Sequence, residues 1–191
     1  MVVRKTGKSG GFTLLELMVV LTIGATLITI GVPAFQSVVA DQRSTATANE
    51  FIMSLILARS EAIKRGRYVS VCISTDGANC AGGGADWNDG WIIFVNQSSA
   101  TPGSVDVGDE ILRIRQAVPE SLTIDSSGNI NSFLSFRPVG TTGTNAVNFS
   151  GTLTLCDEHG FTDPRGLIVS PSGRIQVSRE VDHMDQALVC P

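Results

Sequence analysis

The feature that most constrains this chain is an apolar run near its N-terminus. No Asp, Glu, Lys or Arg occurs from Leu17 to Ala40, and Glu16 is the one charge between Gly10 and Leu17. Because a helix rises 1.5 Å per residue, about twenty apolar residues are enough to cross the hydrocarbon layer of a bilayer. The run therefore predicts a helix that spans a membrane once.

A basic segment before the run indicates its orientation. Arg4, Lys5 and Lys8 would hold the N-terminus on the cytoplasmic side, so the chain after residue 40 would lie outside the cytoplasm. The run is longer than the apolar part of a secretory signal peptide, and Val32-Pro33-Ala34-Phe35 at its end contains no A-x-A cleavage pattern. An ordinary signal peptide is therefore not expected.

Glu16 is the residue that a plain membrane anchor does not explain. An acidic side chain within a membrane helix costs about 2 to 3 kcal/mol and is by default a functional position. A stray carboxylate tolerated in a simple anchor is the alternative interpretation.

The stretch Lys8-Ser9-Gly10-Gly11-Phe12-Thr13-Leu14-Leu15-Glu16 has a glycine, an aromatic residue and a lone carboxylate at a fixed spacing, and Pro33 follows further along the run. This pattern resembles the class III signal of type IV pilins and type II secretion pseudopilins. The resemblance implies that a membrane-embedded prepilin peptidase cuts after Gly11 and methylates the new N-terminal residue, Phe12. It also implies that Pro33 breaks the helix part-way across the membrane.

Cleavage after Gly11 would change the charge at the start of the helix. It removes the three leader cations and exposes an ammonium on Phe12. An unpaired charge in an apolar environment costs on the order of several kcal/mol, so this ammonium needs an anion. Glu16, one helical turn further on, can reach the amine of its own chain or of a neighbouring subunit, and it lies near the positive end of the helix dipole. We therefore predict that Glu16 and Pro33 serve assembly.

The helix is expected to continue past the apolar run. Between residues 36 and 66, apolar side chains recur at steps of three and four, which marks one helical face. They are Phe51, Ile52, Leu55, Ile56, Ala58, Ala62 and Ile63. Basic residues in the last turn, followed by Gly66, are typical of a helix end. We predict one helix from Phe12 to Arg65, kinked near Gly31 and Pro33 where a backbone donor is missing.

Beyond Gly66 the apolar period changes to two, and small polar residues separate the apolar stretches. The predicted strands are 68–74, 91–96, 111–118, 131–137, 147–156 and 167–178. Ser170-Pro171-Ser172-Gly173 turns the last of these into a hairpin. The predicted fold is therefore α+β and pilin-like, with a long kinked helix packed on an antiparallel sheet.

Three further stretches are similar to the GspH/FimT group of minor pilins and pseudopilins. They are Ala58–Arg65 ahead of a strand, Trp87-Asn88-Asp89-Gly90-Trp91, and Ser172-Gly173-Arg174. The expected organisation has four parts: a leader at 1–11 removed by the peptidase, a transmembrane or filament-core helix at 12–36, an amphipathic helix half at 37–66, and a C-terminal β domain at 67–191.

Four cysteines lie in the part predicted to be outside the cytoplasm. An even count in an oxidising compartment suggests two disulfides. We expect Cys72 to pair with Cys80, closing the loop after the first strand, and Cys156 with Cys190, fixing the C-terminus to the sheet. The sequence does not decide the connectivity. A zinc site is the alternative, but no C-x-x-C pair is present, which is unfavourable for a structural metal.

Catalytic and metal-binding patterns are largely missing from the sequence. His159 and His183 are the only histidines, and no H-E-x-x-H, G-x-S-x-G or phosphate-binding loop occurs. His159 has no obvious nucleophile as a partner. The loop from 75 to 90 holds Asp76, Asp86, Asn88 and Asp89, which could suit calcium, but their register does not match an EF-hand and turns use the same residues. We expect no enzyme activity, no cofactor and no metal.

Binding to DNA is the alternative that the C-terminal hairpin raises. The formal net charge is −4, and removal of the three leader cations lowers it by three, to −7, which is unlike a general nucleic-acid binder. Some FimT-type pilins are DNA receptors with a Gly-Arg-x-Arg hairpin, whereas this chain has Gly173-Arg174-Ile175-Gln176 and lacks the second arginine. Arg165 and Arg179 lie nearby in sequence and could share a surface with Arg174. Acidic residues that would repel phosphates follow at once: Glu180, Asp182 and Asp185.

The sequence therefore predicts a minor pilin or pseudopilin, a non-catalytic structural subunit that primes or caps assembly of a type IV pilus or a type II secretion pseudopilus. The alternatives are a DNA-binding minor pilin for natural transformation and a plainly anchored periplasmic domain. Expected partners are the prepilin peptidase, other minor pilins or pseudopilins, the inner-membrane assembly platform and the lipid bilayer, with DNA in the alternative. The expected location is the bacterial inner membrane, with a single pass and a periplasmic C-terminal domain, and the filament tip after assembly.

Overall fold

The structure is a computed structural model that describes residues 11–97 and 103–190. Apart from Gly11, the predicted leader lies outside the described residues. The chain begins with one long helix, α1 (Leu14–Arg65), and a short 3-10 turn lies at Trp87–Asp89. The described strands are β1 (Tyr68–Ile73), β2 (Gly90–Asn96), β3 (Glu110–Gln116), β4 (Leu122–Gly128), β5 (Phe133–Phe136), β6 (Gly151–Asp157), β7 (Arg165–Val169) and β8 (Ile175–Ser178).

Two compact units make up the chain, unit 1 at Met1–Val39 and unit 2 at Ala40–Pro191. The described part of unit 1 is mainly the first half of α1. This helix is continuous through Pro33, although a proline removes one backbone donor. The kink expected near Gly31 and Pro33 stays a prediction.

Unit 2 contains two four-stranded antiparallel sheets. Sheet A has the order β3-β2-β1-β5, and sheet B has the order β4-β6-β7-β8. The predicted class, a long helix with antiparallel strands, is confirmed. The sequence did not separate the strands into two sheets.

Strand β4 is absent from the sequence prediction. Leu122 and Ile124 in this strand are buried, but the residues after them read Asp125-Ser126-Ser127-Gly128 and continue no apolar alternation. β4 forms nonetheless because it pairs along its whole length with β6, from Leu122 opposite Asp157 to Gly128 opposite Gly151. Tertiary pairing therefore overrides a weak local β pattern here.

One main core joins the second half of α1 to both sheets. On the helix it is formed by Ala48, Phe51, Leu55, Ala58 and Ala62, a set we call the inner seam. The three- and four-residue steps of the inner seam keep these side chains on one side of the helix. The sequence grouped Ile56 and Ile63 with this face, but both are about half exposed.

Two tryptophans surround Phe51 at the centre of this core. The Phe51 ring lies 4.5 Å from the Trp91 ring and 5.3 Å from the Trp87 ring, measured between centroids. The indole N–H of Trp91 donates to Ser54 Oγ at 3.0 Å, and that of Trp87 donates to the Ile130 carbonyl at 3.1 Å. Both polar groups are therefore satisfied although the rings are buried.

The segment between these tryptophans connects the two sheets. The Asn88 side-chain oxygen accepts a bond from the backbone N–H of Ile124 in β4, at 2.5 Å. Gly90 begins β2 with φ 109°, and a Cβ there would collide with the Arg115 carbonyl of β3. The tight approach of β2 to β3 at this point therefore requires glycine.

Candidate assembly site in the N-terminal helix

The start of α1 is fixed by a hydroxyl cap. The backbone N–H of Glu16 donates to Thr13 Oγ1 at 3.2 Å, which places Thr13 just before the helix and Glu16 in its first turn. Thr-x-x-Glu is the spacing of a capping box, in which a side-chain oxygen satisfies one of the free N–H groups of the first turn. Thr13 is not among the site residues predicted from the sequence, although the Thr-x-x-Glu spacing is the signal for it.

The predicted processing residues lie immediately before the helix. Gly11 and Phe12 precede the first helical residue, Leu14, and the Phe12 side chain is 82% exposed. The Glu16 side chain is also exposed and has no ion-pair partner among the residues that the structure describes. A carboxylate and the bond predicted to be cut are thus within about one helical turn of each other.

Apart from this carboxylate, the first part of α1 presents an apolar surface. It is long and apolar enough to cross a membrane, and none of its most apolar window is buried in the protein. Its threonine hydroxyls bond to carbonyls of the preceding turn: Thr22 to Val19 at 2.8 Å, Thr26 to Thr22 at 2.6 Å and Thr29 to Thr26 at 2.8 Å. These hydroxyls are therefore satisfied within the helix, as a lipid or helix-packed environment requires.

The three arginines considered for DNA contact do not come together. Arg165 is buried in β7, where its guanidinium donates to the Asp41 carboxylate of α1 at 2.7 Å. Arg174 and Arg179 are exposed, but Arg174 lies at the turn of the β7–β8 hairpin and Arg179 follows the other end of β8. Arg165 therefore shares no open surface with Arg174.

Acidic residues lie in the same groove as Arg174. This groove of about 590 Å³ runs along β8 and is also lined by Asp182, His183 and Asp185. The Gln176 amide, oriented with its oxygen toward Arg174, accepts from the guanidinium at 2.6 Å. The groove carries both signs of charge, unlike a surface built to track phosphates.

Two known family models match this chain, one at the N-terminal helix and one over most of unit 2. The family described as type II transport protein GspH matches residues 47–173, and the prokaryotic N-terminal methylation motif matches residues 7–32. The chain belongs to the GspH family. Its apolar helix and its methylation motif mark this member as a membrane-anchored pilin-like protein. No curated protein matches the chain.

The solved structures of one type IV minor pilin show the same fold as this GspH-family chain. Two crystal forms of the type IV minor pilin FimU from Pseudomonas aeruginosa strain PAO1 are similar to it. The P21 form has a TM-score of 0.55 at 24% identity, over 72% of this chain and 90% of FimU. The P65 form has a TM-score of 0.52 at 25% identity, over 70% and 91%. The minor pseudopilin EpsH from the type 2 secretion system of Vibrio cholerae has a TM-score of 0.49 at 16% identity, over 72% of this chain and 97% of EpsH.

Two of the stretches that resemble the GspH/FimT group touch each other in the structure. Arg59 of α1 donates from Nη1 to the Gly173 carbonyl at 2.9 Å, and its Nη2 lies 3.4 Å from the Ser172 carbonyl. Gly173 has φ 78°, and a Cβ there would collide with the Gly140 carbonyl. Arg59 thus connects the helix to the C-terminal hairpin through a contact between residues 114 apart in sequence, which no local pattern predicts.

The histidines and the loop carboxylates have structural roles in this fold. His183 Nδ1 lies 3.1 Å from Thr152 Oγ1, and the His159 ring stacks on Phe161. The Asn79 side-chain amide donates to the Asp76 carboxylate at 2.9 Å, and the backbone N–H groups of Ala78 and Asn79 donate to it at 2.8 Å each. Together these bonds hold the pKa of the carboxyl well below its usual range. Within residues 11–97 and 103–190, no three His, Cys, Asp or Glu residues are grouped as metal ligands would be.

Unit 2 contains two disulfide bonds. Cys72 is bonded to Cys80 and Cys156 to Cys190, which are the two pairs expected from the sequence. The first closes the loop after β1, and the second fixes the C-terminal segment to β6. Such bonds suit an oxidising compartment.

Proposed function

We propose that this GspH-family chain is a non-catalytic minor subunit that primes or caps the assembly of a type IV pilus or a type II secretion pseudopilus. The observation that carries the proposal is Glu16, the one acidic residue at the start of a helix whose large apolar side chains are exposed. Such a helix needs lipid or other helices around it, and such a carboxylate needs a cation.

Processing supplies that cation. The prepilin peptidase would cut after Gly11 and methylate Phe12, which leaves an ammonium about one turn from Glu16. When the helix moves from the bilayer into a filament, the favoured position is the one in which the ammonium is paired with a carboxylate. That carboxylate belongs to the same subunit or to the next one. Pro33 would adapt the helix to its neighbours within the filament.

The location and partners follow from this assembly route. The chain would enter the bacterial inner membrane once, with unit 2 in the periplasm, where both disulfides are stable. Its partners would be the prepilin peptidase, other minor pilins or pseudopilins and the inner-membrane assembly platform. The filament tip would be its final position, and FimU, a minor pilin with the same fold, supports the minor-subunit role.

The test is the incorporation of Glu16 variants into filaments. Glu16→Gln keeps the size of the side chain but removes its charge, and Glu158→Gln is the matched control at an exposed turn of unit 2. In cells that contain the complete assembly system, we expect Glu16→Gln to lower the fraction of the chain in sheared filaments at least about tenfold, because a buried ammonium would lose its partner.

Membrane level and cleavage after Gly11 are measured in the same samples, so that a folding or processing defect is visible. Wild-type incorporation of Glu16→Gln, or a wild-type chain that never enters filaments, would contradict the proposal. Equal loss in Glu158→Gln would show that the assay reports loss of charge in general.

A further inference from the structure

The second half of α1 has a second row of side chains beside the inner seam. It consists of Ile52, Ile56, Arg59 and Ile63, which we call the outer seam. Their spacing is four, three and four residues, which returns to the same side of a helix. This is the spacing by which one α-helix packs along another, as in helical bundles and coiled coils. The inner seam faces both sheets, whereas the outer seam has no helix against it within the described residues.

The outer seam forms one wall of an open apolar groove. The other wall is the β7–β8 hairpin, and the groove has a volume of about 370 Å³. Ile52 and Ile175 pack against the core and form its floor. Ile56 is 49% exposed and Ile63 is 53% exposed, so these side chains remain open to solvent although they lie on an amphipathic helix.

Two cations border this groove, and neither has a carboxylate partner. The Arg59 guanidinium donates to two carbonyls of the hairpin, and the Arg174 guanidinium donates to the oxygen of the Gln176 amide. Among the described residues, no ion pair involves either of them. By contrast, Arg115 pairs with Glu50 at 2.8 Å on another side of α1. Among the described residues, the lining of this groove thus holds two cations and no acidic residue, unlike the groove along β8 that Arg174 also borders.

We propose that the outer seam is a docking site for an α-helix of a neighbouring pilin-like subunit. That helix would present apolar side chains at three- and four-residue steps and a carboxylate on the same face. From Ile52 to Ile63 the seam is about 16 Å long, which accommodates about three turns of a partner helix. The carboxylate would bind Arg174, because guanidinium groups hold carboxylates with strong, directional hydrogen bonds. This docking role rests on the proposed function, since it needs a filament of such subunits.

Photo-crosslinking in the intact assembly system tests the docking site. Benzoylphenylalanine is introduced at Ile56 in the full-length chain, and Met53 is the matched control because it is 59% exposed on α1 but lies off both seams. We expect position 56 to crosslink to a helical peptide of another pilin-like subunit that contains Asp or Glu, and position 53 to give at least fivefold less of that product. Arg174→Glu should lower the yield at position 56 at least fivefold, whereas Arg174→Lys should retain most of it.

The peptide in the crosslinked product, identified by mass spectrometry, decides the outcome. Crosslinks at position 56 to lipid, DNA, a non-helical segment or an unrelated protein would overturn the proposal, as would equal yields at positions 53 and 56 or no crosslink. Incorporation into filaments is measured in parallel with an Ile56→Asp variant. If this variant enters filaments normally and position 56 gives no subunit crosslink, the docking site is wrong while the proposed function stands.

Discussion

Phe51 is the largest fully buried side chain of α1. It has no exposed surface, and its ring contacts both Trp87 and Trp91. Replacing Phe51 with alanine removes a buried aromatic ring and leaves a cavity between the helix and β2. Substitutions of this kind cost about 3 to 5 kcal/mol. That is a large share of the roughly 5 to 15 kcal/mol by which a domain is stable.

Intrinsic fluorescence gives a direct assay for this change. Trp87 and Trp91 are the two tryptophans of the chain, so the signal reports the surroundings of Phe51. The full-length protein in detergent micelles is unfolded with guanidinium chloride, and the free energy of unfolding of unit 2 is extrapolated to water. We expect Phe51→Ala to lower this free energy by about 3 to 5 kcal/mol and to shift the emission of the folded state to longer wavelength.

Phe161→Ala is the control for loss of an aromatic ring. Phe161 is 42% exposed and stacks on His159 in a surface turn, so its loss should cost less than about 1 kcal/mol. A loss below about 1 kcal/mol for Phe51→Ala, or no more than for Phe161→Ala, would refute the packing described for α1.

Three further predictions concern other parts of unit 2. Gly90→Ala should destabilise by at least about 1 to 3 kcal/mol in chemical unfolding, because φ is 109° and a Cβ would meet the Arg115 carbonyl; stability equal to wild type would contradict this. Paired serine substitutions at Cys156 and Cys190 should lose about 2 to 4 kcal/mol in a thermal melt, and an unchanged melting temperature would argue against this bond as a brace. Asp125 is exposed, but partial desolvation and the negative charge of Asp86 raise the pKa of its carboxyl, so the folded protein binds its proton more tightly than the unfolded chain does. The stability that comes from binding this proton is fully present below the unfolded pKa of about 4, and it is lost as the pH rises through the folded pKa. Asp125→Asn should therefore be more stable than wild type at neutral pH, and this difference should disappear in acid. A variant that is less stable at neutral pH would reverse the sign of this argument.

The long helix was predictable because its signals are local. The uncharged run, the three- and four-residue steps around Phe51 and Leu55, and Gly66 after the last turn are all visible within short windows. Gly66 has φ 62°, as a helix stop of this type requires. The predicted start, Phe12, is two residues too early, because Thr13 caps the helix and its first residue is Leu14.

The division into two sheets was not predictable because it depends on distant partners. Strand β4 is formed by its pairing with β6, about thirty residues away in the chain. In the same way, the burial of Arg165 follows from its ion pair with Asp41, at a separation of 124 residues. The hydrophobic period and the turn residues depend only on residues close together in the sequence. They therefore cannot predict contacts between residues that are far apart in the chain.

For the candidate assembly site, motif spacing predicts Gly11, Phe12 and Glu16, and these residues lie at the start of α1. The outer seam was not recognised, because Ile56 and Ile63 have the same period as the buried face. Only the exposure of these side chains in the folded unit separates the two seams.

The chemical identity of the N-terminus in the chain recovered from sheared filaments tests assembly through a processed helix. Mass spectrometry should find a peptide beginning with N-methylated Phe12 and no peptide from residues 1 to 11. Recovery of the chain only from membranes, with the Gly11–Phe12 bond intact, would rule out this assembly route and would leave a plainly anchored domain.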